Sequence, residues 1–381
     1  MAEHSIAAPS SSGRWVHCEG SIMLEARVPD TSKKDAANEG LCSHELAADL
    51  IYHWANDRTL DPENLRIKYV GKYSFHGVKV TDAIFDGALL YVRDVIIVST
   101  GCEHGKNFAI EDKLQIPKVH DVCFGTCDCW YFNEVTGILH IWDLKYGFLA
   151  VEAYANWQLL CYASGIVSNG IKPKFIDIRI VQPRSYRPGW PVHTWQFKAG
   201  DLQSFEARLN ASANRALGNT PTVMTGPHCR FCRARYGCGA ANNAAMSAFE
   251  YVEVPQLCDL SPEQLGRELQ YLTRAKEAIE YRHAGVSQQI ESLLKQGKNV
   301  PQWEMRSKGS KREWATGVEE LKAIGALYDV KVTKEKPITV KQAIDAGIPQ
   351  DMVEALTTVK SGKRYLLPHD MEAIGRKFKN A

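Results

Sequence analysis

The sequence predicts an α/β protein with a mixed central sheet covered by helices, on three observations. Apolar runs of strand length recur between about residues 108 and 182, separated by turn signals. One strong helical pattern, Val151 to Ser168, interrupts them. Beyond Pro255 the character changes, and Leu265, Leu269, Leu272, Ala275 and Ile279 recur at helical spacing, continuing to Leu294. The chain accordingly divides into a core, residues 1–255, and a mainly helical, basic accessory region, residues 256–381.

Residues up to about 60 read as helical, with Leu46, Leu50 and Trp54 on one face. Between 65 and 200, strands are expected at Phe108 to Leu114, Cys123 to Phe132, Ile138 to Lys145 and Phe175 to Gln182. Val135-Thr136-Gly137 makes the second and third of these a hairpin. Residues 201–240 return as a helix followed by a cysteine-rich loop. Ser261-Pro262-Glu263 starts the next helix. After Pro301, Trp303 and Trp314 flank a basic turn, and Pro337 and Pro349 break the short helices beyond it.

With 381 residues, 45% of them hydrophobic, the chain can bury one large core and a smaller second unit. It has no apolar run long enough to span a membrane and no apolar N-terminal signal segment. Eleven cysteines in such a chain point to a reducing cytosol rather than a disulfide scaffold. A net charge of +2 neither requires nor excludes nucleic acid. Three local groups are basic: Arg230, Arg233 and Arg235; Arg306 with Lys308, Lys311 and Arg312; and Lys360, Lys363 and Arg364.

Strand alternation puts Asp143 and Lys145 on one face and Leu144 on the other, and Asp128 on the neighbouring strand can join them. Two carboxylates and a lysine on a shared face are costly to desolvate without a partner or an ion. Hard oxygen ligands suit Mg²⁺, and a nearby lysine can orient the attacking water. An isolated D-x-K is more often a solvated ion pair, so its surroundings decide. On the following helix Gln158 and Tyr162 are four apart and share a face. Upstream, Glu39-Gly40-Leu41-Cys42-Ser43-His44-Glu45 opens a helix. A zinc-protease reading of His44-Glu45 fails because position 48 is Ala48, not histidine.

Cys229, Cys232 and Cys238 form C-x2-C-x5-C, a strong metal signature one ligand short of four. Cys18, at the end of a short helix that Ser10 to Ser12 could cap, is the natural fourth. Spacing alone leaves a zinc site, with His228 as another candidate ligand, equal to an iron–sulfur cluster. The other seven cysteines read as buried thiols. Cys123, Cys127 and Cys129 share a parity that points them away from Asp128.

In order, G-T-x-D (Gly125 to Asp128), D-x-K (Asp143 to Lys145) and Q-x-x-x-Y (Gln158 to Tyr162), with the upstream glycine-then-histidine motif, resemble the RecB-type branch of the PD-(D/E)XK nuclease superfamily. One N-terminal cysteine paired with a C-terminal triplet resembles its iron–sulfur members, of the AddB type and the CRISPR-associated RecB-like exonucleases. With Arg14-Trp15 and the trailing basic region, the whole is similar to a phage- and prophage-encoded family of RecB-like nucleases. The resemblance covers most of the chain, is specific between His44 and Cys238, and is weak after about Cys258.

It implies a PD-(D/E)XK core and a metal-dependent DNA exonuclease of phage recombination, replication or degradation, in the cytoplasm of a bacterial host. Asp128 and Asp143 would hold Mg²⁺ or Mn²⁺ with His44 and the Leu144 carbonyl, and Lys145 would position water. Gln158 and Tyr162 would steady Lys145 or the substrate strand. Glu111 is a further candidate carboxylate. Cys18, Cys229, Cys232 and Cys238 would hold a structural [4Fe–4S] cluster, with Zn²⁺ the alternative. DNA is the expected partner, gripped by Lys308, Lys311 and Arg312; a recombination or replication protein and a second copy of the chain are others. The rival class is a nuclease-fold protein that binds single-stranded DNA without cutting it.

Overall fold

The computed structural model describes residues 5–28, 34–185, 191–251, 261–303 and 305. Two compact units make up the chain, Met1–Met305 and Arg306–Ala381. The division falls after Met305, not at the expected residue 255, because the long helix beyond Pro262 packs against the cysteine loop of the first unit. Lys308, Lys311 and Arg312 lie outside the described residues.

The first unit begins with a 3-10 turn and two short helices, α1 (Ser12–Trp15) and α2 (Ser21–Ala26). The expected serine cap is not made. Ser11 and Ser12 turn their hydroxyls back and donate to the carbonyls of Ala8 and Pro9. Then come α3 (Lys34–Asp57), α4 (Pro62–Tyr69), the small hairpin β1 (Ser74–Phe75) and β2 (Val78–Lys79), and α5 (Asp82–Val98). Helix α5, in a stretch expected to hold strands and one helix only, starts where Thr81 accepts the Ile84 N–H. It buries Ile84, Phe85, Ala88, Val92 and Val95 against the sheet.

That sheet comprises β3 (Phe108–Gln115), β4 (Phe124–Asn133), β5 (Ile138–Leu144), β6 (Phe175–Val181) and β7 (Val192–Lys198), hydrogen-bonded in that order. All neighbours are antiparallel except β5 and β6, which are parallel. A parallel pair needs a crossover, and α6 (Trp157–Ser168) supplies it. The β4–β5 hairpin is as expected. Asn133 Oδ1 accepts from the Val135 and Thr136 N–H groups, and Gly137 takes φ +71° to close the turn. Helix α6 starts six residues later than expected because Asn156 caps it by accepting the Leu159 N–H. Helices α7 (Leu202–Ala216), α8 (Gly239–Tyr251) and α9 (Pro262–Lys295) follow.

Each sheet face has its own core. Leu139, Ile141, Ile176, Ile178 and Ile180 meet α6, α7 and Trp15. Trp142, Leu144 and Val181 meet α3 and α5. Among the described residues, no helix is long and apolar enough to cross a membrane.

Candidate metal and phosphate site

The two cores exchange partners along β3 and β4. Phe108 and Ile110 pack on the α3/α5 side, but Leu114, of the same parity, packs on the α6 side. On β4, Cys129 and Tyr131 face α3/α5 while Cys127 joins the α6 core. Cys127 and Cys129 therefore do not share a face as strand alternation predicts, although both are fully buried thiols as expected.

The switch falls at Glu111 and Asp128. The register pairs Ile110 with Cys129 and Asp112 with Cys127, so these two carboxylates stand opposite each other. Glu111 takes φ +49°, a left-handed conformation that a non-glycine residue adopts only when its surroundings impose it. Pairing of β4 with β5 ends at Cys129–Trp142. Beyond it the Leu144 N–H donates to Asp128 Oδ2 at 2.9 Å, a side chain taking the place of a ladder carbonyl.

Helix α3 brings His44 to this break, with Nδ1 3.2 Å from Asp128 Oδ2. Ligand atoms of His44, Glu111 and Asp128 lie within 4.8 Å of one another. They line a pocket with Ala47, Ala48, Ile51, Tyr91 and Leu144. Tyr91, from α5, is buried and its hydroxyl has no hydrogen-bond partner among the described residues.

Asp143 lies outside that triplet. It is 1% exposed and engages the lysine, Oδ1 and Oδ2 standing 2.9 and 2.8 Å from Lys145 Nζ. Gln158 ties the pair together, its Oε1 accepting from Lys145 at 3.1 Å and its Nε2 donating to Asp143 Oδ1 at 3.1 Å. Tyr162, a turn further along α6, is buried and close enough to Gln158 for that side chain to act on its hydroxyl. The expected residues do meet, but in two adjoining groups: His44, Glu111 and Asp128, and Asp143, Lys145, Gln158 and Tyr162. Glu111, the weakest candidate from sequence, belongs to the tighter one.

The electrostatics follow from this division. Burial would lower the His44 pKa, but the Asp128 carboxylate raises it to about 9. Burial would raise that of Asp128, but the His44 cation and then Lys145 bring it below the ordinary value. Glu111 rises to about 7, from burial first and then from repulsion by Asp128. Burial also raises Asp143, against the pull of Lys145. Lys145 is held protonated by Asp143 and Asp128 despite the opposing effect of burial.

The cysteine region is separate. Cys229 lies in one 3-10 turn (Pro227–Phe231) and Cys232, three residues on, just before another (Arg233–Tyr236). The N-terminal segment is clamped to them. Gly20 N–H donates to the Thr222 carbonyl at 2.9 Å, Met224 N–H points at Cys18 Sγ at 3.5 Å, and Glu25, paired with Arg14, accepts from the Arg233 N–H at 2.8 Å. Cys18 is thereby close enough to Cys229 and Cys238 for their charges to act on it, and Cys229 acts on Cys232 in the same way. Burial pushes the Cys232 thiol up to about 12. His228 turns its Nε2 to the Met224 carbonyl at 2.9 Å.

The chain belongs to the DUF2800 family, described as proteins of unknown function; the family's model matches residues 4–370.

Proposed function

We propose that this protein is a metal-dependent deoxyribonuclease of the RecB-like PD-(D/E)XK type, acting as an exonuclease on DNA. What supports it is the meeting of His44, Glu111 and Asp128 within 4.8 Å beside a lysine held by Asp143 and Gln158. The element order agrees: a helix carrying the histidine, three antiparallel strands, a helix, and a fourth strand parallel to the third.

Two carboxylates and one imidazole at the edge of a partly open pocket fit Mg²⁺ or Mn²⁺, and the Tyr91 hydroxyl, unpartnered among the described residues, lines the same pocket. A divalent ion held there supplies Lewis acidity and a hydroxide-like nucleophile at neutral pH. The chain's own groups do the rest. Asp128 fixes the end of β5 through the Leu144 N–H and so aligns the two strands that carry the site. Asp143 and Gln158 hold the Lys145 ammonium in one place and protonated, where it stabilises negative charge gathering on a phosphate oxygen. Tyr162 holds Gln158. Asp143 and the Leu144 carbonyl would be the further oxygens placed to hold the ion.

At the cysteines we favour a structural [4Fe–4S] cluster. What supports it is the resemblance of one N-terminal cysteine and a C-terminal triplet to the iron–sulfur members of the RecB-like group, with Zn²⁺ the alternative. Anaerobic protein should be brown, with absorption near about 400 nm.

End-labelled single-stranded and duplex DNA incubated with protein and Mn²⁺ should be shortened, and chelator should stop the reaction. Intact DNA of both kinds after prolonged incubation, with Mn²⁺ shown to bind, would remove the nuclease assignment.

A further inference from the structure

The pocket shared by His44, Glu111 and Asp128 is otherwise lined by side chains that, with one exception, cannot bond to water. Ala47, Ala48 and Ile51 come from α3 and Leu144 from β5, and all four side chains are apolar. The exception is Tyr91, from α5. None of the other buried residues of that helix carries a polar side chain.

Tyr91 is 2% exposed, and its hydroxyl is unpartnered among the described residues. Burial above all raises its pKa well beyond the ordinary tyrosine value, so the group is an O–H; Asp128 and Glu111 stand close enough for their charges to add to that shift. The hydroxyl therefore neighbours two of the three candidate ion ligands and bonds to neither. Phenylalanine would fill the same place without burying an unpaired hydroxyl, so packing does not explain the choice. A buried polar group is normally matched by protein or by ordered water. Here the space beside it is the pocket itself.

A divalent ion of the Mg²⁺ or Mn²⁺ kind takes about six ligands and keeps several of its waters. His44, Glu111 and Asp128 supply three atoms within 4.8 Å of one another. Even with Asp143 and the Leu144 carbonyl added, a place is left for water. Water on a cation turns its hydrogens outward, and a tyrosine oxygen can accept one of them. We propose that Tyr91 is a positioning residue that anchors one water of the ion's shell, its hydroxyl oxygen accepting a hydrogen bond from that water. Partners of this outer kind orient what the ion holds and tune how tightly the ion is bound. This rests on the metal site of the proposed nuclease and adds the group that fixes the ion's water.

The test uses full-length protein, Mn²⁺ as the probe, and Tyr91→Phe, which removes one oxygen and keeps the ring. Without metal, Tyr91→Phe should melt at or above the wild-type temperature, because the orphaned hydroxyl is gone. Its Mn²⁺ affinity, from calorimetric titration, should fall roughly 10- to 100-fold. Exchange of the water on bound Mn²⁺, read from water-proton relaxation, should quicken. A packing role cannot give stability and affinity changes of opposite sign. Mn²⁺ affinity equal to wild type would overturn the anchor. So would a metal-free Tyr91→Phe protein that melts well below wild type, since its hydroxyl would then be bonded within the fold. Wild type that binds no Mn²⁺, or whose binding survives Asp128→Asn, would instead defeat the metal site beneath the inference. Mn²⁺ bound at Asp128 with DNA left uncut would keep the role of Tyr91 and remove the nuclease.

Discussion

The carboxylate pocket and the cysteine region are held by different parts of the chain. Asp128, Asp143 and Glu111 sit on adjacent strands of a sheet buried on both faces, and His44 and Gln158 come from helices packed against those faces. Their backbone is secured whether or not an ion is present. Cys229, Cys232 and Cys238 lie in or beside single 3-10 turns, and what holds them is a few polar contacts from residues 14–25 and the packing of α9. A group bound by those sulfurs would supply stability there rather than chemistry. In the first region structure precedes the ligand; in the second the ligand completes the structure.

That contrast breaks first on activity. Lys145→Ala and Asp128→Asn should each lower DNA cleavage by at least about 10²- to 10³-fold, the usual effect of removing a positioned electrostatic group. Their thermal midpoints should fall less than that of a cysteine variant, because the sheet and both cores stay in place even though Lys145→Ala leaves Asp143 buried without its cation. Cys232→Ser should do the reverse, losing colour, lowering the midpoint and exposing the segment after Thr222 to protease, with activity falling only as folded protein is lost. A Lys145→Ala protein that melts below Cys232→Ser, or a Cys232→Ser protein as stable as wild type but inactive, would reverse the roles assigned here. Calorimetry beside initial rates decides it.

A smaller effect sharpens the same point on the far side of the cysteines. Gly285 of α9 is the buried residue of that helix, and a Cβ there would stand 2.7 Å from Arg235 Cγ and 3.0 Å from the Tyr236 nitrogen. Arg282 reaches back to the carbonyls of Arg235 and Tyr236 from the same face. Gly285→Val should therefore cost about 1–3 kcal/mol by overpacking and loosen the cysteine loop. Faster loss of iron to a chelator, with DNA cleavage rates intact, is the expected readout.

Much of the carboxylate region was legible because alternation and helical spacing are local rules. They put Asp143 with Lys145 and Gln158 with Tyr162, and the ordered motifs added His44. The face switch was not legible. Nothing in Ile110-Glu111-Asp112 announces a left-handed glutamate, since glycine, the usual signal of positive φ, is absent. An alternation rule carried through Asp128 therefore put Cys127 and Cys129 on one side. Helix α5 was missed although Thr81 and Asp82 mark its start, because Ile84 to Val98 is so apolar that helical and strand periods cannot be told apart. Tyr91, on that helix, was lost with it. The unit boundary was misplaced for a different reason: a change of period marks a new element, not a new domain, and α9 packs back on the first unit.

The finest distinction lies in protons. His44 and Glu111 are both raised, to about 9 and about 7, in the metal-free protein. A raised group stabilises the fold below its unfolded pKa and ceases to do so as pH climbs through its folded pKa. Glu111 should therefore contribute below about 4.5 and lose its contribution by about 7, and His44 should do so between about 6.5 and 9. Metal-free protein should melt at progressively lower temperature as pH rises through these two windows, and Glu111→Gln should flatten the lower one. An ion bound by the same groups must displace their protons, so at pH 7 Mn²⁺ binding should release protons, chiefly from His44 and in part from Glu111. Calorimetric titration in buffers of different ionisation enthalpy measures the number released. Glu111→Gln should reduce it, and release of none from wild type would mean that Mn²⁺ binds elsewhere.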